Sequence, residues 1–345
     1  MKLKEFQSYL KERKIYCALI FNTSTKRDPA FTYFTGLTDI NGALIVKKDL
    51  AFVIVSPLEF ETAKNNSSIK KVYKIKKGFI DDIKSKVKHK KIGINYDYVS
   101  IKLLKNLRNN LKSSFTDVSE KISELRCTKT GEEIKRIKKA ASIASSIIRK
   151  AIAKASSRMT EIQLRDFIES EMKKMKARPS FPTIVAASKN ASCPHHIPAS
   201  KKLSGFVVID MGVVYKNYCS DITRTIYIGK PSEKELNDYD LVLQVNKECI
   251  SKAEENAKAS EIHMHAAGKL GRDFIHSLGH GIGIEVHENP RIARKSGEKL
   301  KKGMVFTIEP ALYRKNYGIR IEDDILLGDT PISLTQAQKS LVIKH

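Results

Sequence analysis

The sequence lacks any apolar run near the ~20 residues that a helix needs to cross a bilayer. Its most hydrophobic stretches, such as 18–21 and 206–209, have the length of strands. The first residues, MKLKE, lack the apolar core and small-residue cleavage site of a signal peptide. Cysteine is scarce: there are five, an odd number with no CxxC pair, unlike a secreted disulfide framework. We therefore expect a cytoplasmic protein without a membrane segment.

Acidic residues are also few, 38 against 63 lysines and arginines, so the formal net charge is +25. The densest basic run, 70–91, could attract phosphate by releasing counterions. It alternates with apolar residues, however, as the solvated faces of packed elements do, and no nucleic-acid motif accompanies it. We expect solubility and salt-sensitive attraction to anions, but no specific nucleic-acid partner. A nucleic-acid binder remains the competing hypothesis.

A chain of 345 residues with 41% hydrophobic content can fill the cores of two domains. Residues 1–120 are predicted to form an α/β domain that begins with an amphipathic helix, because Leu3, Phe6 and Leu10 follow helical spacing. Further strands are predicted at 17–21, 43–46, 51–55, 71–75 and 91–94. Further helices are predicted at 58–64, 80–88 and 101–111.

Residues 121–345 are predicted to form an α+β domain with antiparallel ribbons. Three helices should begin at capping boxes, in which the first and fourth residues bond each other's backbone amides. The boxes start at Thr130, Thr160 and Ser232. After the second helix come two strand pairs, 206–228 and 304–328, with the third helix between them.

Each strand pair places two carboxylates on one face. A turn near residues 216–217 sets Asp210 opposite Thr223, with Asp221 one step diagonal to it. A turn near 315–316 sets Glu309 across from Glu322. Pairs of like charge would destabilise a ribbon, and a bound cation removes that objection. Single acidic residues on strands are usually solvated surface residues, and that alternative stays open on spacing alone.

A histidine between the two ribbons suits the same centre. His280 is flanked by glycines at 279, 281 and 283, which should leave its backbone uncrowded so that the imidazole can reach a shared site. Four carboxylates and one imidazole suit Mn²⁺, Co²⁺, Fe²⁺ or Zn²⁺. Bridging carboxylates can hold two such ions.

These segments resemble the "pita-bread" metallopeptidases, which include Xaa-Pro dipeptidase (prolidase), aminopeptidase P and methionine aminopeptidase. The resemblance covers the C-terminal two-thirds of the chain and fills all five ligand positions in order: Asp210, Asp221, His280, Glu309 and Glu322. Its motifs are VIDMG (208–212), SDITRT (220–225), HSLGHGIG (276–283), VHENPR (286–291), TIEP (307–310) and GIRIED (318–323). It implies two divalent metal ions per subunit, with Mn²⁺ or Co²⁺ preferred to Zn²⁺ or Fe²⁺.

The resemblance also assigns residues around the metals. It implies that Glu309 accepts and later donates a proton, and that His287 and His195 stabilise the developing oxyanion, with His196 as the alternative to His195. The expected substrate-binding residues are His276, Arg291, Phe181 and Arg320. Among these, Phe181 would form an apolar wall for proline, and Arg291 would pair with a dipeptide's carboxylate.

The N-terminal domain narrows the choice within this group. Methionine aminopeptidases usually lack such a domain, and YFTGL (33–37) resembles a segment common in it. Creatinase and the metal-free binding modules of this fold lack the ligands that are complete here. We favour a homodimeric Xaa-Pro dipeptidase over an aminopeptidase P that cuts longer peptides; a metal-free binding module is the alternative of another class. Residues 253–272 look shortened and lack the usual Pro-Gly-Met loop, which should affect substrate range rather than the metals.

Overall fold

The computed structural model describes residues 2–87 and 90–344. The chain forms two compact units, Met1–Arg126 and Cys127–His345. The division falls at the end of the helix Ser119–Cys127, and the boundary predicted at residue 120 lies in the first turn of that helix. Within the described ranges, no helix combines the length and the apolar character that a membrane crossing requires.

The first unit surrounds a six-stranded mixed sheet. Its helices are α1 Lys2–Glu12, α2 Pro29–Thr35, α3 Phe60–Asn66, α4 Phe79–Lys86, α5 Ile101–Leu111 and α6 Ser119–Cys127. Its strands are β1 Cys17–Asn22, β2 Gly42–Lys47, β3 Ala51–Val55, β4 Val72–Lys74, β5 Ile92–Ile94 and β6 Phe115–Asp117. The strand order is β4-β3-β2-β1-β5-β6, with β1–β3 antiparallel and the outer strands parallel to their neighbours.

Both faces of this sheet are buried, which explains why its strands read as continuous apolar runs. In β1, Ala18 and Ile20 pack on the side of α1–α3, whereas Leu19 and Phe21 pack on the side of α4 and α5. The five strands and four helices predicted here are confirmed, although Lys88, the last residue of one predicted helix, lies outside the described residues. Helices α2 and α6 and strand β6 were not predicted; α2 and β6, with seven and three residues, are too short to show a period.

The second unit combines long helices with a nine-stranded sheet and two small ribbons. Its helices are α7 Gly131–Lys154, α8 Glu161–Lys174, α9 Glu233–Ser251 and α10 Ala259–Leu270. Its strands are β7 Arg178–Pro179, β8 Ile184–Ala187, β9 Gly205–Met211, β10 Val213–Tyr215, β11 Tyr218–Cys219, β12 Ile222–Ile228, β13 Gly279–Gly281, β14 Glu288–Ile292, β15 Val305–Ile308, β16 Ala311–Tyr313, β17 Gly318–Arg320, β18 Glu322–Leu327, β19 Pro331–Ser333 and β20 Ile343–Lys344. The main path of the large sheet is β14-β13-β15-β18-β12-β9-β8.

Two helix pairs enclose this sheet in separate cores. Helices α7 and α8 pack on Val207 and Ile209 of β9, and helices α9 and α10 pack on Phe306 and Ile308 of β15. The three predicted capping boxes are all present, and they fix where α7, α8 and α9 begin. The α+β architecture predicted for this part of the chain is therefore confirmed. Residues 253–272, expected to be shortened, contain helix α10, which buries one face and exposes the other.

The strand pairing is interrupted in both predicted ribbons, and the sequence periodicity gave no indication of this. The β9–β12 ladder ends at Met211 opposite Ile222, and the tip of the hairpin joins β7 in a separate sheet. The β15–β18 ladder ends at Ile308, before Pro310, whose missing N–H cannot continue it. The chain resumes pairing in the short β16–β17 ribbon. Metal-ligand candidates lie at both interruptions, as described next.

Candidate metal centre

Three of the four acidic candidates lie along one row across neighbouring strands, namely Asp210, Glu322 and Glu309. Asp210 pairs with Thr223, and Thr223 pairs in turn with Glu322, so all three side chains point to the same face. The pairing of Ile308 with Asp323, extended by one residue, brings Glu309 across from Glu322. The predicted registers of both ribbons are therefore confirmed. Lys216 and Asn217 have positive φ angles, which places the first turn where it was expected.

Asp221, outside the row, and Glu309, at its end, lie where the ladders stop, so their backbone amides bond to groups outside the ladders. The Asp221 amide donates to Oδ2 of Asp324 at 3.0 Å, and the Glu309 amide donates to the carbonyl of Leu278 at 2.8 Å. Both backbone amides are therefore satisfied although the ladders are interrupted at these residues.

His280 lies in β13 beside this row. Its amide donates to Oγ1 of Thr307 at 3.1 Å, and its Nδ1 lies 3.2 Å from the carbonyl of Gly281. Because a carbonyl accepts, Nδ1 carries the proton and Nε2 keeps a free lone pair. Nε2 lies 3.4 Å from Oε1 of Glu309 and 3.9 Å from Oδ2 of Asp221.

The glycines around His280 serve a different purpose from the one expected. A Cβ on Gly279 would lie 1.9 Å from the carbonyl oxygen of Thr307, and a Cβ on Gly281 would lie 2.1 Å from that of Asn289. The backbone is therefore crowded on both sides rather than free. Glycine lets β13 insert between its two neighbours and bring His280 up to the carboxylates.

The electrostatics of this cluster are those of like charges forced together. Burial first, and then the negative charge of Glu322, raises the pKa of Asp221 well above its ordinary value. Burial, followed by the charge of Asp210, raises the pKa of Glu322 to about 8. The pKa of Glu309 is also raised well above its ordinary value, by burial and then by Glu322. The pKa of His280 is lowered to about 4, mainly by burial, so the ring is neutral at pH 7.

The residues fit a bound divalent cation. One ligand atom from each of Asp221, His280 and Glu322 lies within 4.8 Å of the others. Oδ1 of Asp210 and Oδ1 of Asp221 are buried, and in the described part of the chain neither has a hydrogen-bond partner. A buried carboxylate oxygen without a donor is costly, and a cation satisfies it. Carboxylate oxygens and one neutral imidazole are a donor set for Mn²⁺, Co²⁺, Fe²⁺ or Zn²⁺.

A hydrogen-bond network around Arg320 supports this cluster. Arg320 is 5% exposed and donates from Nη2 to Asp210 at 2.6 Å, from Nη1 to the Tyr313 hydroxyl at 2.7 Å and from Nε to Thr223 at 3.3 Å. Each of its three nitrogens therefore donates to a protein group, and the guanidinium orients Asp210. The substrate contact expected for Arg320 stays a prediction.

His276 belongs to the same network. Its Nδ1 donates to the Ser277 carbonyl at 2.7 Å, so its Nε2 accepts from the Tyr313 hydroxyl at 3.0 Å. The ring lies 3.9 Å from Oε2 of Glu309, measured from Nδ1. Burial lowers the pKa of His276 to about 4, so the ring is neutral at pH 7.

The exposed rim carries two more predicted histidines. The His287 ring stacks edge-on against His280, with centroids 4.3 Å apart. Burial, and then the charge of His195, lowers the pKa of His287, and His195 contributes in the same direction to the lowered pKa of His276. His196 instead binds Glu161, from Nε2 to Oε2 at 2.8 Å. Of the two alternatives, His195 is thus the one that acts electrostatically on the centre.

The remaining predicted residues, Phe181 and Arg291, also lie near the centre. A Cβ on Gly212 would lie 2.8 Å from Cε1 of Phe181, so this ring packs against the backbone two residues beyond Asp210. Arg291 pairs with His280 across β13 and β14, and its charge contributes to the lowered pKa of that histidine. Its side chain is exposed, and it forms no ion pair within residues 2–87 and 90–344.

The supporting roles of three residues, Tyr313, Asp324 and Thr223, were not predicted. For Thr223, the role is its hydrogen bond to Glu322. Oγ1 of Thr223 donates to Oε2 of Glu322 at 2.6 Å. Thr223 was placed in the row by the register, but its hydrogen bond was not inferred. For Asp324, the only available signal was a third acidic residue in the run that starts at Glu322. Tyr313 gives no local signal, because its partners are seven and thirty-seven residues away along the chain.

The Thr223–Glu322 hydrogen bond provides a first test. We expect Thr223→Val, which keeps the shape but removes the donor, to weaken Mn²⁺ binding by about 10- to 100-fold, the usual loss when a partner of a ligand is removed. Calorimetric titration of the metal-depleted protein measures this. Thr32→Val is the control, since Thr32 is a buried threonine of the first unit whose hydroxyl donates to the carbonyl of Leu37. Equal affinities in wild type and Thr223→Val would contradict the account.

The geometry defines the class of protein: an α+β domain with a buried, carboxylate-rich centre for divalent cations. Comparison with known proteins gives the family. Residues 135–329 match "Metallopeptidase family M24", and residues 2–128 match "Creatinase/Prolidase N-terminal domain". The chain belongs to the M24 family of metallopeptidases, and its catalytic domain has the pita-bread fold.

Similar proteins extend over almost the whole chain. The Xaa-Pro dipeptidase of Pyrococcus furiosus is 37% identical over 324 residues, which cover 90% of this chain and 92% of the relative. The crystal structure of the prolidase from Pyrococcus horikoshii OT3 superposes with a TM-score of 0.92 at 33% identity and covers 99% of both chains. The X-Pro aminopeptidase from Thermotoga maritima superposes with a TM-score of 0.88 at 29% identity and covers 96% of this chain and 99% of that one.

Proposed function

We propose that this protein is a metal-dependent exopeptidase that hydrolyses Xaa-Pro dipeptides. The observation that carries the proposal is the buried centre, in which acidic side chains with unsatisfied oxygens face the neutral His280. Such a group of like charges is unfavourable in a folded protein unless it binds cations. The substrate follows from the similarity to Xaa-Pro dipeptidases over 90% of the chain.

Two divalent cations per subunit, Mn²⁺ or Co²⁺ in preference to Zn²⁺ or Fe²⁺, would be held by Asp210, Asp221, His280, Glu309 and Glu322. When bound, they would polarise the scissile carbonyl and lower the pKa of a water molecule towards neutrality. Arg320 and Thr223 contribute by fixing Asp210 and Glu322, because each donates a hydrogen bond to one of these carboxylates.

The protein's own groups would move the protons. Glu309 combines a raised pKa with a position 3.4 Å from Nε2 of His280, which suits it to take a proton from water and return it to the leaving amine. His195 and His287 would donate hydrogen bonds to the carbonyl oxygen as negative charge develops on it. Both lie on the exposed rim of the centre, where a substrate can reach them.

Selectivity for proline in the second position would come from the rim. Proline has no amide N–H and a fixed φ, so its ring needs an apolar surface rather than a hydrogen-bond acceptor. Phe181 offers such a surface close to Asp210. Arg291 would bind the dipeptide's terminal carboxylate through two parallel hydrogen bonds. His276 would contact the substrate only at the cost of its present bonds to Ser277 and Tyr313.

The alternative is an Xaa-Pro aminopeptidase acting on longer peptides, which the similarity to the Thermotoga maritima enzyme favours. The difference lies in the C-terminal carboxylate, which immediately follows proline in a dipeptide and lies farther away in a longer peptide. Arg291 is therefore the residue that separates the two functions.

We expect Arg291→Ala to raise KM for Met-Pro by about 10- to 100-fold while kcat changes little, because a charge-assisted hydrogen bond contributes about 1.5–3 kcal/mol. Steady-state kinetics with Mn²⁺ measure this. With Met-Pro amide, which lacks the carboxylate, wild type and variant should differ by less than about twofold. The control is Arg294→Ala, an exposed arginine three residues away. Unchanged KM for Met-Pro in Arg291→Ala would favour the aminopeptidase.

We further propose that the protein acts in the cytoplasm as a homodimer. The cytoplasmic setting is supported by its five cysteines, which are all free thiols. The dimer is an expectation from the family resemblance. Light scattering coupled to size-exclusion chromatography at assay concentration would measure it, and a monomer with full activity would reject it.

A further inference from the structure

The carboxylate of Glu161, outside the metal centre, is completely buried, and both of its oxygens accept hydrogen bonds. Glu161 is the first residue of α8, directly after the N-cap residue Thr160, and its exposure is 0%. Its two oxygens accept four hydrogen bonds, two each, and every donor lies in residues 187–199. The donors are the Ala187 amide at 2.7 Å, Asn190 Nδ2 at 3.0 Å, His196 Nε2 at 2.8 Å and the Ala199 amide at 2.9 Å.

A buried carboxylate is tolerated only where such donors replace its water. The bonds join both ends of the segment 187–199 to one point on a rigid helix. Backbone bonds strengthen the link, since the Ile162 amide donates to the Ala199 carbonyl and the Glu161 amide to that of Lys201. On its other side the segment lies against β17, because a Cβ on Gly318 would be 1.9 Å from the carbonyl oxygen of Ala191.

This segment carries His195, whose own side chain is exposed. The next residue, His196, bonds to Glu161, so the backbone is fixed directly after His195. The segment begins at the end of β8, where Ile184 pairs with Asp210, and it lies against β17, whose last residue, Arg320, donates to Asp210. An exposed side chain on an irregular segment depends on such an anchor for a defined position.

We propose that Glu161 is a positioning residue that holds His195 in its productive place at the metal centre. The inference rests on the proposed function, in which His195 donates a hydrogen bond to the reacting carbonyl. It also makes Glu161 more than a stabiliser of α8. A misplacement of a reacting group by about 1 Å can cost about 100-fold in rate, so a loosened segment should act on catalysis through His195.

The chain offers a matched control at the start of α9. Glu233 follows the N-cap Ser232 just as Glu161 follows Thr160, and both helices begin with a capping box. Glu233, however, is exposed. Glu→Gln at either position removes the same charge from the same point of a helix, and only at Glu161 does it place an amide group among four donors.

The kinetic test is a double-mutant cycle with Met-Pro and Mn²⁺, run well below the melting temperature of each variant. We expect Glu161→Gln to lower kcat/KM by about 10- to 100-fold and Glu233→Gln by less than about twofold. In a His195→Ala background, Glu161→Gln should cost less than about twofold more, because the residue it positions is gone. If the two losses multiply instead, Glu161 does not act through His195 and the proposal is overturned.

A second measurement does not depend on activity. In the metal-free protein, Glu161→Gln should accelerate hydrogen exchange at the Ala187 and Ala199 amides by about tenfold or more, whereas Glu233→Gln should not. Unchanged exchange would overturn the inference whatever the activity. If the wild type cuts no Xaa-Pro peptide, the proposed function is rejected. Faster exchange in Glu161→Gln would still show that Glu161 fixes the segment 187–199. If Glu161→Gln does not fold, His196→Ala removes one of the four donors and should change both measurements in the same direction.

Discussion

Glu309→Gln is expected to lower kcat for Met-Pro by about a thousandfold, within the range of about 10²- to 10⁴-fold that removal of a general acid–base produces. Glutamine keeps an oxygen where Glu309 has Oε1 but cannot take up a proton. The side chain is 15% exposed, and the backbone amide of Glu309 donates to the Leu278 carbonyl. The substitution should therefore leave the fold and much of the metal binding intact.

Two measurements separate loss of the base from loss of metal. Metal content after dialysis shows whether Glu309→Gln still binds Mn²⁺, and kcat at saturating Mn²⁺ then reports the chemical step. Glu261→Gln, at an exposed position on α10, is the control for a surface Glu→Gln change. A variant that retains metal and more than about a tenth of wild-type kcat would assign the proton transfer to another group.

The second large effect is expected for Asp221→Asn. Loss of this carboxylate should abolish tight metal binding and reduce activity by about a thousandfold, equivalent to about 4 kcal/mol of lost transition-state stabilisation. The same change should stabilise the metal-free protein, because the Asp221 charge is buried beside those of Asp210, Glu309 and Glu322. Function and stability thus conflict at this residue.

Thermal unfolding with chelator and with Mn²⁺ tests both parts. Wild type should melt higher with Mn²⁺, since a ligand that binds only the folded state adds about 2.7 kcal/mol at a hundred times its dissociation constant. Asp221→Asn should melt higher than wild type in chelator and should respond little to Mn²⁺. Asp240→Asn, at an exposed position on α9, should behave like wild type. A metal-free Asp221→Asn that melts below wild type would contradict the like-charge account.

The sequence was most informative where local geometry decides the structure. A strand repeats every two residues, so one correctly placed turn at Lys216 and Asn217 determines that Asp210 faces Thr223. Capping boxes predicted the starts of α7, α8 and α9, because both members of each box lie within four residues. The carboxylate row could be predicted for the same reason: it follows from register alone.

What the sequence could not show depends on contacts between distant segments. The crowding at Gly279 comes from Thr307, and the anchoring of Asp210 comes from Arg320, more than a hundred residues away along the chain. The bonds of Arg320 to Asp210, Tyr313 and Thr223 were not predicted, because a motif position does not reveal which side chains its nitrogens contact. The ladder interruption at Glu309 required knowing that its amide would bond to Leu278 rather than to the neighbouring strand.

The central claim is metal-dependent cleavage of Xaa-Pro dipeptides, and one assay tests it most directly. The chelator-treated protein is incubated with Ala-Pro and with Ala-Pro-Ala, before and after Mn²⁺ or Co²⁺ is restored, and the released alanine is measured. The account predicts no turnover in chelator, recovery with metal, and a clear preference for the dipeptide. Cleavage of only the longer peptide would identify an aminopeptidase, and no turnover of either peptide together with no bound metal would contradict the account and indicate a binding module.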